Sequence, residues 1–408
     1  MWIYIKLAWR NIFRNKRRTI IAATAISIGL AALIFTDALV RGMEENMVHS
    51  ATASFLGEGQ IHAEGFRITH EAELTINNLD SVLSKLKDDK DVKYFTPRTM
   101  TFGMITSAAN LSSVNVVGIL PDTEKHLSQI DDAMTEGEYL SNDNKNSVVI
   151  GSKLAEILEV GLGDRVVLTV SQAETSDLSQ NMFRVGGIYH FNIKEMDSGM
   201  VFVHISKAQE MLALDGGIHE IAVRFNEPGY GRNEKSPFWD KYSQNKNKAV
   251  SWTQILPQLE GAFRMFRLST YITGIILFAA VAFGIVNTLF MSIYERMFEF
   301  GVLRAVGTRR TRLGSLIVFE AAFLSIISII LGSLLGLIVT YITTKTGIDY
   351  RGIEITGVTV RELLYPVLNT RQFTLYPFWV FVFTTLTGIY PAWHAAKMRP
   401  AESMRRSF

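Results

Sequence analysis

Four stretches of the chain are apolar over about 20 residues, the length a helix needs to cross a hydrocarbon core. They occupy residues 20–40, 268–293, 313–342 and 376–392. The third is long enough to tilt or protrude. The fourth is short, and the flanking Pro377 and Pro391 predict distorted ends. A buried core helix could match one such run, but four together predict a multi-pass membrane protein. Ahead of the first run, Trp2, Ile5, Trp9, Ile12 and Phe13 recur at spacings of three and four, with Lys6, Arg10, Arg14 and Arg17 on another face. Residues 1–19 therefore predict an amphipathic helix lying in the membrane surface, against anionic headgroups.

Between the first and second runs the period changes. Residues 41–267 alternate in short strand-like pieces at 59–66, 92–107, 113–120, 165–171, 182–190, 200–204 and 219–226, with a helical pattern at 79–89 and a strand running into a helix over 147–160. Gly161, Gly163 and Asp164 mark a turn before "RVVLTV". This predicts a large mixed α/β domain in two subdomains, the inner one at roughly 121–218. From Ile255 a helical pattern runs into the second span. The predicted fold class is an α-helical membrane domain of four transmembrane helices, with the α/β domain inserted extracytoplasmically between helices 1 and 2. The remaining segments are a connector at 294–312, an outer loop at 343–375 and a tail at 393–408.

Charge sets the orientation. Lys6, Arg10, Arg14, Lys16, Arg17 and Arg18 precede the first span; Arg296, Arg304, Arg309, Arg310 and Arg312 fill the connector; Lys397, Arg399, Arg405 and Arg406 fill the tail. Basic residues beside span ends face the cytoplasm, so both termini and the connector are expected there. Residues 43–260 hold 31 Asp/Glu against 19 Lys/Arg, a net −12, and belong outside. "ATAS" at 51–54 lies too far beyond the first apolar run to be a cleavage site, so that run is expected to stay as a span. The localisation expected is an inner, cytoplasmic membrane.

Composition narrows the chemistry. The chain has 408 residues, 48% hydrophobic, and no cysteine, so disulfides and thiolate metal sites are excluded. Its eight histidines show no metal-ligand spacing. No Gly-x-x-x-x-Gly-Lys-Ser/Thr loop and no Gly-x-Ser-x-Gly elbow occurs. No catalytic constellation, metal or bound cofactor is expected, and no nucleic-acid partner. Two ionisable residues lie in or beside spans: Glu320, expected to pair with basic residues near the connector, and Asp37, expected to mark the outer boundary.

The connector, "YERMFEFGVLRAVGTRRTR" at 294–312, is charged yet patterned. Met297, Phe300, Leu303 and Val306 recur every three residues and suggest one apolar stripe. Arg296 and Glu299 can pair at i,i+3; Gly301 permits close approach, and Gly307 stops the helix. Such a helix suits a groove on another protein.

With its flanks, "NTLFMSIYERMFEFGVLRAVGTRRTRLGSLIVFEA" resembles the segment after the second span in FtsX-like permeases of ABC transporters, both the lipoprotein-releasing (LolC/LolE) and macrolide-exporter (MacB) types. Asn287, Glu295, Arg296, Glu299, Gly301, Leu303, Arg304, Ala305, Gly307 and Glu320 match that pattern. "YPAWHAAKMRPAESMRR" resembles the family's ending, departing at Trp393 and His394. "GEGQIHAEGF" and "VVGILPDTEKHLSQI" resemble parts of the lipoprotein-releasing outer domain, and the likeness spans essentially the whole chain.

The resemblance implies a coupling helix at 294–307, in which Glu295, Arg296, Glu299, Phe300, Gly301, Leu303, Arg304, Ala305 and Gly307 meet a cytoplasmic ABC ATPase dimer, supported by Asn287 and Glu320. ATP and Mg would be used by that partner. It further implies a second permease, identical or homologous, contact with membrane lipid, and mechanotransmission that extracts lipoproteins or other amphiphiles from the outer leaflet. The 171–181 stretch is either an ordinary strand connection, which its polar composition favours, or a loop that meets a periplasmic carrier or adaptor. The alternative function is that of the cell-division relatives, which activate extracytoplasmic wall hydrolases; their outer domains are usually smaller.

Overall fold

A computed structural model describes residues 2–191, 193–227, 229–350, 354–355, 358–359 and 363–397. The predicted tail charges Arg399, Arg405 and Arg406, with part of the family-like ending, lie outside the described residues. The chain divides into two compact units, one built mainly from residues 46–262, the other from the helical stretches on either side.

In the helical unit, α1 (Trp2–Arg14) and α2 (Lys16–Ala51) are separated only at Asn15. Then come α3 (Pro257–Glu295), α4 (Met297–Ala305), α5 (Arg310–Thr346), α6 (Leu375–Thr387) and α7 (Ile389–Lys397). Four helical stretches, Lys16–Leu56, Pro257–Glu295, Arg310–Thr346 and Thr370–Lys397, are long and apolar enough to cross a membrane. Pro377 falls in the first turn of α6, where no intrahelical N–H bond is needed, and leaves that helix intact.

Lipid offers no hydrophobic drive for helices to associate, so close contact depends on small residues. Gly332 and Gly336, one turn apart on α5, lie against α2. A Cβ on Gly332 would stand 2.8 Å from the Ser27 carbonyl oxygen, and one on Gly336 would stand 3.2 Å from Ile34 Cβ. The Ser27 hydroxyl donates to the Ser328 carbonyl at 2.9 Å. Ile26, Leu30, Ile34, Leu316, Ile317 and Leu324 fill the space around this seam. Ile275, Phe283, Ile330, Leu334 and Phe378 remain exposed, as lipid-facing positions require. On α1, Ala8 and Ile12 are buried and Trp9 sets its ring edge-on to Phe323 at 5.3 Å, while Trp2 and Phe13 face outward.

The other unit is built around a ten-stranded sheet ordered β10-β1-β9-β2-β3-β8-β5-β7-β4, with β6 pairing β2 and β7. Its strands are β1 (Gly59–Ala63), β2 (Val92–Thr106), β3 (Leu111–Ile119), β4 (Met134–Gly137), β5 (Ser147–Gly151), β6 (Arg165–Ser171), β7 (Leu178–Tyr189), β8 (Met200–His204), β9 (Glu220–Phe225) and β10 (Asn247–Ser251). β3–β8 and β5–β7 run parallel; the other ladders are antiparallel. The expected inner part, 121–218, supplies β4 to β8, which join the other strands through the β3–β8 and β2–β6 ladders. Apolar side chains nevertheless collect in separate clusters: Ile150, Leu154 and Phe183 in one, Ile61, Val223, Phe238 and Trp239 in another.

Arg98 of β2 is fully buried within this unit. It donates to Glu220 at 2.6 Å and to both oxygens of Glu124 at 2.5 and 3.0 Å. It also reaches the Phe55 carbonyl at 2.6 Å and lies 3.8 Å above the Phe55 ring. Phe55 belongs to the π-helical turn Thr52–Leu56 that follows α2. A buried guanidinium must satisfy its N–H groups, and here they fix the chain's entry into the sheet. The stretch 172–177 is a tight connection between β6 and β7, closed by Gln172 N–H donating to the Asp177 carbonyl at 2.9 Å.

Candidate functional site

The connector folds as α4, and its entry is set by Arg296. That residue sits at the N-cap with φ −109° and ψ 14°, and its side chain turns inward instead of capping the helix. Arg296 donates to Glu320 Oε1 at 2.7 Å and to Glu299 Oε2 at 3.2 Å, and its guanidinium lies 4.9 Å over the Phe300 ring. Glu320 Oε1 also accepts from the Asn11 amide at 2.6 Å. The other Glu299 oxygen meets Arg14 at 2.8 Å. Glu295 accepts from Arg18 at 2.9 Å and from Asn15 at 3.1 Å. Three carboxylates on α3, α4 and α5 are thus gathered by the junction of α1 and α2.

Partial burial pushes the Glu299 carboxyl up, but hydrogen bonds from Arg14 and Arg296 outweigh it and hold the group below its ordinary range. Glu299 therefore stays charged at neutral pH.

The exit from α4 is a Schellman motif: Thr308 N–H donates to the Leu303 carbonyl at 3.0 Å and Gly307 N–H to that of Arg304 at 3.1 Å. Gly307 has φ +98°, in the left-handed region where a Cβ is strained. Arg304 NH1 adds a bond to the Thr308 carbonyl at 3.1 Å. Both ends of α4 are therefore fixed.

The predicted apolar stripe needs correction. Each step of three residues turns a helix by about 300°, so positions nine apart point in opposite directions. Phe300 is 2% exposed and packs inward with the buried Gly301, while Val306 is 82% exposed. Phe300 and Gly301, matched by resemblance to an external interface, have no surface to offer a partner here. The outward face carries Phe298, Val302, Leu303 and Val306 instead. Asn287 is exposed on α3 and joins none of the carboxylate pairs.

Sequence reasoning missed Asn11, Arg14, Asn15 and Arg18 as partners of the carboxylates. Their only signal was polar asparagine, twice at four-residue spacing, within an otherwise basic and aromatic helix. It also missed the role of Asp37. One Asp37 oxygen accepts from Arg41 at 2.7 Å and Gln372 at 2.8 Å; the other accepts from Tyr376 at 2.8 Å. This carboxylate joins α2 to the start of α6 beside a cavity of about 220 Å³, also lined by Glu44, Arg267 and Arg371.

Comparison with known proteins places the chain in a family. The FtsX-like permease C-terminal family matches residues 271–400, and the MacB-like periplasmic core domain matches residues 19–229. The chain is 20% identical over 412 residues to the lipoprotein-releasing system transmembrane protein LolE of Haemophilus influenzae, covering 97% of each chain. It is 19% identical over 425 residues to LolC of Neisseria meningitidis serogroup B, covering 99% of this chain and 98% of that one. Among solved structures, the periplasmic region of MacB from Actinobacillus actinomycetemcomitans aligns at 16% identity with a TM-score of 0.35, over 50% of this chain and 94% of that one. The core-domain match spans more than half the sequence and the permease match spans the last three membrane helices, so the chain belongs to the FtsX-like ABC transporter permeases and is a multi-pass membrane protein of the LolC/LolE type.

Proposed function

We propose that the chain is the permease subunit of an ABC transporter that works by mechanotransmission, extracting lipoproteins or other amphiphiles from the outer leaflet of the inner membrane. In this reading both termini and α4 are cytoplasmic, and the α/β unit stands in the periplasm between the first and second spans. A separate ABC ATPase dimer binds and hydrolyses ATP with Mg, and a second permease, identical or homologous, completes the membrane part. The ATPase grips α4 by its outward face, Phe298, Val302, Leu303 and Val306, flanked by Arg304 and Arg309. Glu295, Arg296, Glu299 and Glu320 act from behind, fixing α4 to α1, α3 and α5 so that a push on it moves the bundle and not merely a loop. Displacement then travels along α2 and α3, each a single helix of more than 35 residues.

The observation that carries the proposal is this two-sidedness: an inner face fixed by the buried Arg296–Glu320 pair and an outer face of uncovered apolar side chains. Exposed apolar residues on a rigid polar-flanked helix fit a partner's groove. The test is Val302→Asp with Leu303→Asp in the full-length chain, purified from native membranes. Membrane insertion stays normal, and ATPase-subunit recovery falls at least about thirtyfold, the loss of a roughly 2 kcal/mol contact. Wild-type recovery of the ATPase would remove α4 from the interface.

A further inference from the structure

A groove in the helical unit lies apart from the carboxylate anchor. It has a volume of about 400 Å³ and runs between the first turns of α5 and helix α7. Its floor is made by small residues, with the Gly314 Cβ position 3.7 Å from the Ala392 carbonyl oxygen and 3.9 Å from the Ala396 Cβ. Val318 and Ile389 form apolar walls, and Arg310, Thr311, Trp393 and Lys397 form the rim. Trp393 is 56% exposed, and its ring carries the Lys397 ammonium at 4.1 Å. Among the described residues, neither Arg310 nor Lys397 has a carboxylate within ion-pair distance, unlike Arg14, Arg18 and Arg296. Arg309, at the N-cap of α5, supplies no side-chain acceptor to the helix's first amides, which adds further uncompensated positive charge at this rim.

We infer that this groove binds an anionic phospholipid, with its phosphodiester between Arg310 and Lys397 and an acyl chain along Val318 and Ile389. The charge argument selects the headgroup. Among the described residues no Asp or Glu lines the groove, so none of them would hold the ammonium of a zwitterionic lipid, whereas a net anion meets two cations. Basic pockets between membrane helices with an interfacial tryptophan have this chemistry. A docked protein helix would leave both cations to find carboxylates of its own. The inference does not depend on the ATPase reading, because it concerns the permease alone.

The test titrates the purified full-length protein in detergent with brominated phosphatidylglycerol or brominated phosphatidylcholine and follows tryptophan quenching. A Trp393→Phe variant isolates that indole by difference. With each basic residue contributing about 1 kcal/mol, half-quenching by phosphatidylglycerol is expected at about 30-fold lower concentration than by phosphatidylcholine. Arg310→Gln with Lys397→Gln should bring the two lipids within about twofold at an unchanged melting temperature; if that pair fails to fold, Lys397→Gln alone should lower the preference about fivefold. Inorganic phosphate should not relieve the quenching. Equal quenching by both lipids, undiminished preference in the variants, or displacement by inorganic phosphate would each overturn the inference, the last by making this a site for soluble anions.

Discussion

Replacing Glu320 by Ala takes away the acceptor that Arg296 and Asn11 share. The Arg296 and Glu320 side chains are only 9% and 8% exposed, so the guanidinium is left where water does not reach it. Removing one partner of a buried pair costs about 3–5 kcal/mol. Glu299 still holds Arg296 Nε at 3.2 Å, but it is 45% exposed and compensates weakly. The lower end, about 3 kcal/mol, is therefore expected for Glu320→Ala. Glu320→Gln keeps an oxygen for Asn11 and loses only the charge assistance, and should cost about 1–2 kcal/mol. Arg296→Met with Glu320→Leu removes both charges and fills the space, so the pair should recover to within about 1 kcal/mol of the native chain. With Arg296→Met and Glu320→Leu measured singly as the other two corners, the cycle should give a coupling energy of about 2 kcal/mol or more. Unfolding of the full-length protein in mixed micelles by SDS titration measures all of them, with exposed Arg312→Gln as the neutral control. A coupling energy below about 0.5 kcal/mol, or single variants as mild as the control, would refute the claim that this pair anchors α4.

Gly332→Ala places a methyl group 2.8 Å from the Ser27 carbonyl oxygen and 3.0 Å from its Cα, so α2 and α5 must separate. A loss of about 1–3 kcal/mol is expected in the same titration, whereas Gly284→Ala, with open space around it, should be neutral or stabilising by up to about 1 kcal/mol. In the sheet unit, burial pushes His62 down from its ordinary range to about 3, and the Glu220 carboxylate 3.8 Å away is already engaged by Arg98. Because the unfolded chain then binds the extra proton, His62 makes stability greatest above the unfolded value near 6.5 and lowers it as pH falls toward 3. Between pH 7 and 5 the loss should be about 2 kcal/mol, seen in denaturant unfolding of the full chain through the buried Trp239 and Trp252. His62→Gln should flatten that pH dependence, and an unchanged slope would assign it elsewhere.

How much was legible in the sequence follows from the range of each interaction. The spans could be read because a helix in lipid must be apolar along its length. The strands could be read because alternation is local: β2, β3, β6 and β7 fall close to their expected positions. Long-range pairing leaves no local mark. Asn11 and Glu320 are 309 residues apart, and Arg18 and Glu295 are 277 apart. The stripe on α4 fails for a different reason: a three-residue repeat winds around the helix and does not stay on one face. The membrane-flanking arginines teach the most. Counted together they form one population from which an orientation is predicted, but packing separates them. Arg14, Arg18 and Arg296 are consumed by Glu299, Glu295 and Glu320, which makes the α4 anchor. Arg304 closes the end of α4. Arg310 and Lys397, at the rim of the groove, have no carboxylate partner among the described residues. A carboxylate partner is therefore what divides the cations that hold α4 from those at the proposed lipid groove, and only the folded chain assigns the partners.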